Sequence, residues 1–236
     1  MINNSKPSIS VDCAVFKFDS ESSKLQVLLV ERKAVSNGES PTSLPGDEVN
    51  SNELILDAAN RVLKQQTGLE VPLYRFRSFE DPNRLNRPVE QGDRVITKAY
   101  LGFVKNQIPV FGGLADSGKF VDVNSVPEKL LYDHRDIFNA ALVALRKSAE
   151  NHLLPLDGMP SNFTITQVQQ LYEAVLEQTL DKRNFRRSIL AKNYLSETGE
   201  MLSGQNFRPA KLYTFNSVSF QNCLDKELEK LPVVLF

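Results

Sequence analysis

Pro155, Gly158 and Pro160 fall within six positions, in the run Leu153-Leu154-Pro155-Leu156-Asp157-Gly158-Met159-Pro160-Ser161. Proline fixes φ and removes a backbone donor, and a glycine close by adds turn propensity, so a connector is the natural reading. The boundary placed there divides the chain into residues 1–150 and 151–236. At about 150 residues per domain, a chain of 236 residues suits one large domain or two modest ones. Hydrophobic residues at 41% and charged residues at 24% are globular proportions that exclude wholesale disorder. No apolar run approaches the roughly 20 residues of a membrane span, and the N-terminus lacks a secretory h-region. A cytoplasmic protein is therefore expected. Two cysteines, Cys13 and Cys223, cannot build a disulfide framework. Lys+Arg 28 against Asp+Glu 29 excludes a uniformly basic coat, so any nucleic-acid site must be a local patch.

Hydrophobic periodicity organises the first part. Residues 11–17 and 25–30 are compact apolar runs separated by the turn-forming Asp19-Ser20-Glu21-Ser22-Ser23, which predicts two strands and a hairpin-like turn. Residues 36–50, rich in Ser, Asn, Gly and Pro, are expected as loop. Leu54, Ile55, Ala58, Ala59, Val62 and Leu63 then recur at helical spacing, with Ser51 or Asn52 to cap and Gly68 to stop. Further strands are expected over 73–79 and 95–104, with a long polar loop over 80–93, and a helix over 128–147.

The stretch from Leu44 to Leu69, LPGDEVNSNELILDAANRVLKQQTGL, resembles the Nudix box. That pattern is a glycine, five residues, Glu, seven residues, then Arg-Glu-aliphatic-any-Glu-Glu-any-Gly-aliphatic. Glu53, Arg61, Leu63, Gly68 and Leu69 fall in register, while Asp47 stands at the first glycine. Val62, Gln65 and Gln66 occupy the positions of the three family glutamates. On a helix these positions are i, i+3 and i+4 and share a face, where three carboxylates would hold Mg²⁺ through charged oxygens. Gln amides bind that cation weakly and Val62 cannot coordinate it. The resemblance with these substitutions implies a binder, not a hydrolase, with no resident metal or cofactor.

Phe79-Glu80-Asp81-Pro82-Asn83-Arg84 and Asp93-Arg94-Val95-Ile96 extend the likeness. With the degenerate box and the C-terminal helices, they resemble the Nudix-related transcriptional regulators of NAD metabolism, the NrtR family. The resemblance implies an α+β chain: an N-terminal Nudix-like α/β/α sandwich that senses a ligand, then a C-terminal winged helix-turn-helix. It implies ADP-ribose or a related nucleotide as effector and double-stranded operator DNA as partner. A homodimer is implied too. Arg32, Arg84 and Arg94 suit phosphate or ribose oxygens through charge-assisted bonds, Phe79 suits stacking and Asp81 a ribose hydroxyl. Arg61 completes the candidate set, with pairing to Glu53 as its structural alternative. Solvated loop charge is the alternative for Arg84 and Arg94, and core packing for Phe79.

Helices over 166–176 and 182–192, then an alternating strand over 211–216, give the order of a winged helix-turn-helix. Lys182, Arg183, Arg186, Arg187 and Lys192 are five cations in a stretch without an acid, and 182/186 and 183/187 form an i, i+4 ridge. Asp181 is placed to cap. Second-helix N-terminal residues read base edges in the major groove, which makes Arg183, Asn184 and Arg187 candidate readers. Lys182, Arg186 and Lys192 are candidate phosphate contacts, as are Thr164 and Thr166. Residues 197–211, with Arg208 and Lys211, suit a wing. His134 is expected in a capping or interdomain bond. Two other functions stay open: an active ADP-sugar diphosphatase with an accessory domain, and a sugar-sensing regulator of the same group.

Overall fold

The computed structural model describes residues 6–33, 41–82, 84, 94–105, 107–204 and 207–229. Expectations for residues 36–40 and for most of the 80–93 loop lie outside these. The chain packs as two units, Met1–Lys17 with Gln26–Ala144, and Phe18–Leu25 with Leu145–Phe236. That division falls inside a helix, earlier than the proline-rich run. The run itself is well packed: Leu153, Leu154, Leu156 and Met159 are buried, and the Leu154 N–H donates to the Tyr172 hydroxyl at 3.0 Å. Its leucines, not its prolines, decide how it behaves.

The first unit is built on a mixed sheet. Its strands are β1 (Ser8–Asp19), β2 (Lys24–Arg32), β3 (Thr42–Ser43), β4 (Gly46–Glu48), β5 (Tyr74–Phe79), β6 (Val95–Phe103) and β7 (Ala115–Asp122). The main order is β3-β2-β1-β6-β5, with β4 paired to β1 and β7 to β2. Central β1 runs parallel to β6, from Ser8 opposite Val95 to Phe16 opposite Phe103. Buried on both faces, β1 reads as a nearly continuous apolar run. Val11, Cys13 and Val15 share one face, packed with Ala58, Ala59, Val62 and Leu63 of helix α1 (Ile55–Thr67). Strand alternation sends Asp12 to the opposite face, where helix α2 (His134–Glu150) begins.

Three local expectations change. Helix α1 has Leu54 at its N-cap with no side-chain cap, in place of the Ser51 or Asn52 cap expected; the Glu53 carboxylate ties down the preceding loop by accepting from the Asn50 N–H at 2.8 Å. Its end is as expected, with Gly68 at φ 67 donating to the Lys64 carbonyl. Helix α2 starts at His134, six residues after position 128, because Tyr132 adopts φ 52, a left-handed conformation no helix accommodates. Strand β7 was not anticipated from its sequence, ADSGKFVD, which lacks a β-branched run and alternates weakly.

The second unit holds α3 (Ile165–Leu176), α4 (Lys182–Ala191), β8 (Leu195–Gly204), β9 (Phe207–Phe215) and α5 (Ser217–Glu229). Thr164 caps α3 through a reciprocal box with Gln167, and Asp181 caps α4 by accepting from the Asn184 N–H. An antiparallel β8–β9 hairpin follows, and backbone bonds join Phe163 to Tyr213. Tyr172, Phe185, Tyr194 and Phe220 form its aromatic core. The Tyr194 hydroxyl donates to the His152 carbonyl at 2.7 Å.

Candidate functional site

On the Asp12 face of the sheet, a cleft of about 290 Å³ lies between β1, β4, β6 and the start of α2. Its floor is charged and buried. Asp12 and His134 are 5% and 4% exposed, with His134 Nε2 at 3.5 Å from Asp12 Oδ1. The Leu44 N–H donates to His134 Nδ1 at 3.0 Å, which leaves the proton of a neutral imidazole on Nε2, aimed at Asp12. Burial pushes the Asp12 pKa up against the attraction of His134, and pushes the His134 pKa down against that of Asp12. Desolvation is the larger cause for both.

Backbone closeness shapes the same floor. A Cβ on Gly46 would come within 1.8 Å of Asp12 Oδ1, so only glycine lets β4 pair here. Arg32 lines the cleft and donates from Nη2 to the Gly46 carbonyl at 2.6 Å, while its buried Nε has no partner among the described residues. Arg84 makes a bidentate pair with Asp133, Nε to Oδ2 at 2.6 Å and Nη2 to Oδ1 at 2.8 Å. Ser10, Thr97 and Tyr132 add hydroxyls, and Asp47 and Glu48 add carboxylates. Such a lining suits a hydroxyl-rich polar ligand held by fixed donors and acceptors.

The sequence-predicted residues divide. Arg32 and Arg84 come together in this cleft. Phe79 and Asp81 line a neighbouring exposed groove with Arg84, where the Arg77 and Arg84 guanidinium groups lie 5.3 and 5.6 Å from the Phe79 ring centre. Arg94 is exposed and donates to the Glu80 carbonyl at 3.1 Å, outside the cleft. Arg61 is committed to structure: it grips Glu53 at 2.6 and 2.9 Å and the Glu48 carbonyl at 2.9 Å. This guanidinium draws the Glu53 pKa down to about 2. Sequence reasoning missed Asp12, though an acid inside the apolar strand VDCAVF was a legible signal. His134 was expected in a capping or interdomain bond; its side chain instead meets the Leu44 N–H and Asp12, both in the first unit.

The box positions do not fit the family's divalent cation. Val62 is buried in the α1 core and Gln65 is exposed, bonded to Arg61 at 3.3 Å. Gln66, 2% exposed, clamps Gly46 on both sides: Nε2 donates to its carbonyl at 2.9 Å and Oε1 accepts its N–H at 3.3 Å. An amide supplies both a donor and an acceptor to this backbone. A carboxylate would face the carbonyl oxygen to oxygen and need a cation or proton between.

In the second unit the N-terminal turns of α4 present Lys182, Arg183, Asn184, Arg186 and Arg187 on an exposed surface, with Phe185 and Ile189 turned inward. Thr166 is exposed, whereas Thr164 is 6% exposed and its hydroxyl accepts the Gln167 N–H at 3.2 Å, so the cap takes it out of reach of phosphate. Half-buried Lys192 is the C-cap of α4. The Arg208 side chain lies outside the described residues. Lys211 pairs with Glu197 at 2.8 Å.

The NUDIX domain model matches residues 6–141. The chain belongs to the NUDIX family. After this Nudix part, the NrtR DNA-binding winged helix domain matches residues 155–215. The Nudix chain is 28% identical over 213 residues to the "ADPR responsive transcriptional repressor NtrR" of Acinetobacter baylyi, covering 89% of this chain and 82% of that protein. Its fold is similar to that of Shewanella oneidensis NrtR crystallised with a 27mer DNA, with TM-score 0.75, 21% identity and coverage of 90% and 95%. A MutT/nudix family protein from Enterococcus faecalis shares it as well, with TM-score 0.70, 24% identity and coverage of 91% and 88%. These likenesses confirm the mixed α+β architecture, Nudix first and winged helix second. Among the described residues, no helix is long and apolar enough to cross a membrane.

Proposed function

We propose that this protein is a DNA-binding transcriptional repressor whose Nudix unit binds ADP-ribose without hydrolysing it. The observation that carries the reading is the pairing of two features in one chain. A basic, exposed first half of α4 stands beside a β8–β9 hairpin, and the Nudix unit combines a polar cleft on the Asp12 face with a box position, Gln66, whose amide is satisfied by the Gly46 backbone where the family has a carboxylate. The relative named as an ADPR-responsive repressor supports the effector and the direction of control.

Arg183, Asn184 and Arg187 read base edges in this account, while Lys182 and Thr166 meet phosphates. Arg32 and Arg84 orient the effector, and the Arg32 Nε, without a partner among the described residues, is the donor left for it. The protein works in the cytoplasm as a homodimer on a two-fold operator that governs NAD-metabolism genes. ADP-ribose releases DNA by binding the DNA-free state more tightly, since a ligand with equal affinity for both states would shift nothing. A gel-shift with DNA upstream of NAD-metabolism genes tests this. Retardation that ADP-ribose reverses is expected; no retardation, or steady conversion of ADP-ribose to AMP with Mg²⁺, would overturn it.

A further inference from the structure

One carboxylate sits between the two cationic elements of the second unit. Arg186 on α4 donates from Nη2 to the Tyr213 hydroxyl at 3.0 Å, with its guanidinium 5.9 Å from the Tyr213 ring centre. The Tyr213 hydroxyl donates onward to Glu197 Oε1 at 3.1 Å. From β9, Lys211 Nζ reaches both Glu197 oxygens, at 3.1 and 2.8 Å. The phenol is fixed: Tyr213 is 1% exposed and backbone-bonded to Phe163. Glu197 and Lys211, by contrast, are half exposed, with side-chain values of 50% and 52%.

This arrangement matters because sequence-independent DNA affinity comes from cations that neutralise phosphates and release counterions. A lysine already neutralised by its own protein releases fewer. Arg186, in turn, is held by a buried hydroxyl instead of ranging freely over the backbone. Resting on the DNA-binding reading above, we infer that Glu197 is an internal competitor for DNA phosphate: it occupies Lys211, positions Arg186 through Tyr213, and so restrains non-specific binding. The carboxylate acts through these two cations and needs no contact with DNA itself. Its pKa, lowered chiefly by the Lys211 hydrogen bond, keeps it charged at neutral pH.

The test is the salt dependence of binding to a fluorescein-labelled duplex of arbitrary sequence, measured by anisotropy on the full chain. E197Q keeps the shape and the acceptor for Tyr213 while removing the charge. It is expected to bind roughly two- to five-fold more tightly at low salt, the range for losing an exposed pair. Its log–log salt slope should steepen by about 0.9, as for one more phosphate neutralised. Adding K211M to E197Q should remove both gains. E200Q, which deletes one exposed acid from the same strand, controls for net charge and should leave the slope unchanged. Equal melting temperatures for E197Q and wild type check folding. An E197Q slope equal to or shallower than wild type would overturn the inference while leaving the DNA-binding reading intact. Failure of the wild type to bind any duplex at low salt would overturn both.

Discussion

The Gln66 clamp gives the sharpest test of what became of the cation site. In Gln66→Glu, a carboxylate oxygen replaces the amide nitrogen now 2.9 Å from the Gly46 carbonyl, at a position 2% exposed. A hydrogen bond becomes a repulsive contact and an unpaired charge is placed in a buried site, at a cost of about 3–5 kcal/mol. At roughly 2–4 °C per kcal/mol for a chain of this size, the melting temperature at pH 7 in EDTA should fall by about 6–20 °C. Protonating the carboxyl restores a donor, so burial and the carbonyl raise its folded pKa above the unfolded value near 4.3. The deficit is therefore small at about pH 4 and grows as the pH rises through the folded pKa. Mg²⁺ bridges two oxygens well, so it should restore part of the loss in the variant and do nothing to wild type. Scanning calorimetry at two pH values, with and without Mg²⁺, reads all of this. A variant that melts with wild type at pH 7 in EDTA would refute the clamp.

Asp133→Asn breaks a bidentate ion pair whose partners are 8% and 9% exposed, and should cost about 3 kcal/mol by urea unfolding, as expected for an orphaned buried guanidinium. His134, with its pKa lowered by burial, takes up its proton more readily unfolded than folded, so it costs stability as the pH falls through about 6.5. Asp12, with its pKa raised, works the opposite way. His134→Asn keeps an acceptor for the Leu44 N–H, so urea midpoints between pH 7 and pH 5 should drop less than in wild type. In operator binding, Arg183→Ala should relax base preference by about 1–3 kcal/mol, whereas Lys182→Ala should weaken all sequences alike and flatten the salt slope; competition gel-shifts separate the two.

Legibility in the sequence followed the strength of the local signal. Helix α4 with its Asp181 cap, and α1 ending at Gly68, were readable because cap chemistry and apolar spacing agree within a few residues. The Arg61–Glu53 pair was readable from the box register. Asp12 and His134 were not: their meeting depends on β1 alternation and on where α2 starts, which the left-handed Tyr132 decides. Strand β7 was hidden because its residues draw their order from pairing with β2, not from their own propensity. Thr164 was misjudged because the same hydroxyl serves equally well as a cap or as a phosphate ligand, and only the Gln167 geometry decides.

The central claim is an effector pocket that needs no divalent cation, coupled to a DNA-reading head. Anisotropy of a labelled operator, titrated with ADP-ribose in EDTA, tests it most directly. Release of the duplex with the ADP-ribose recovered intact is the predicted result. A complex that ADP-ribose leaves untouched until Mg²⁺ is added would contradict the account.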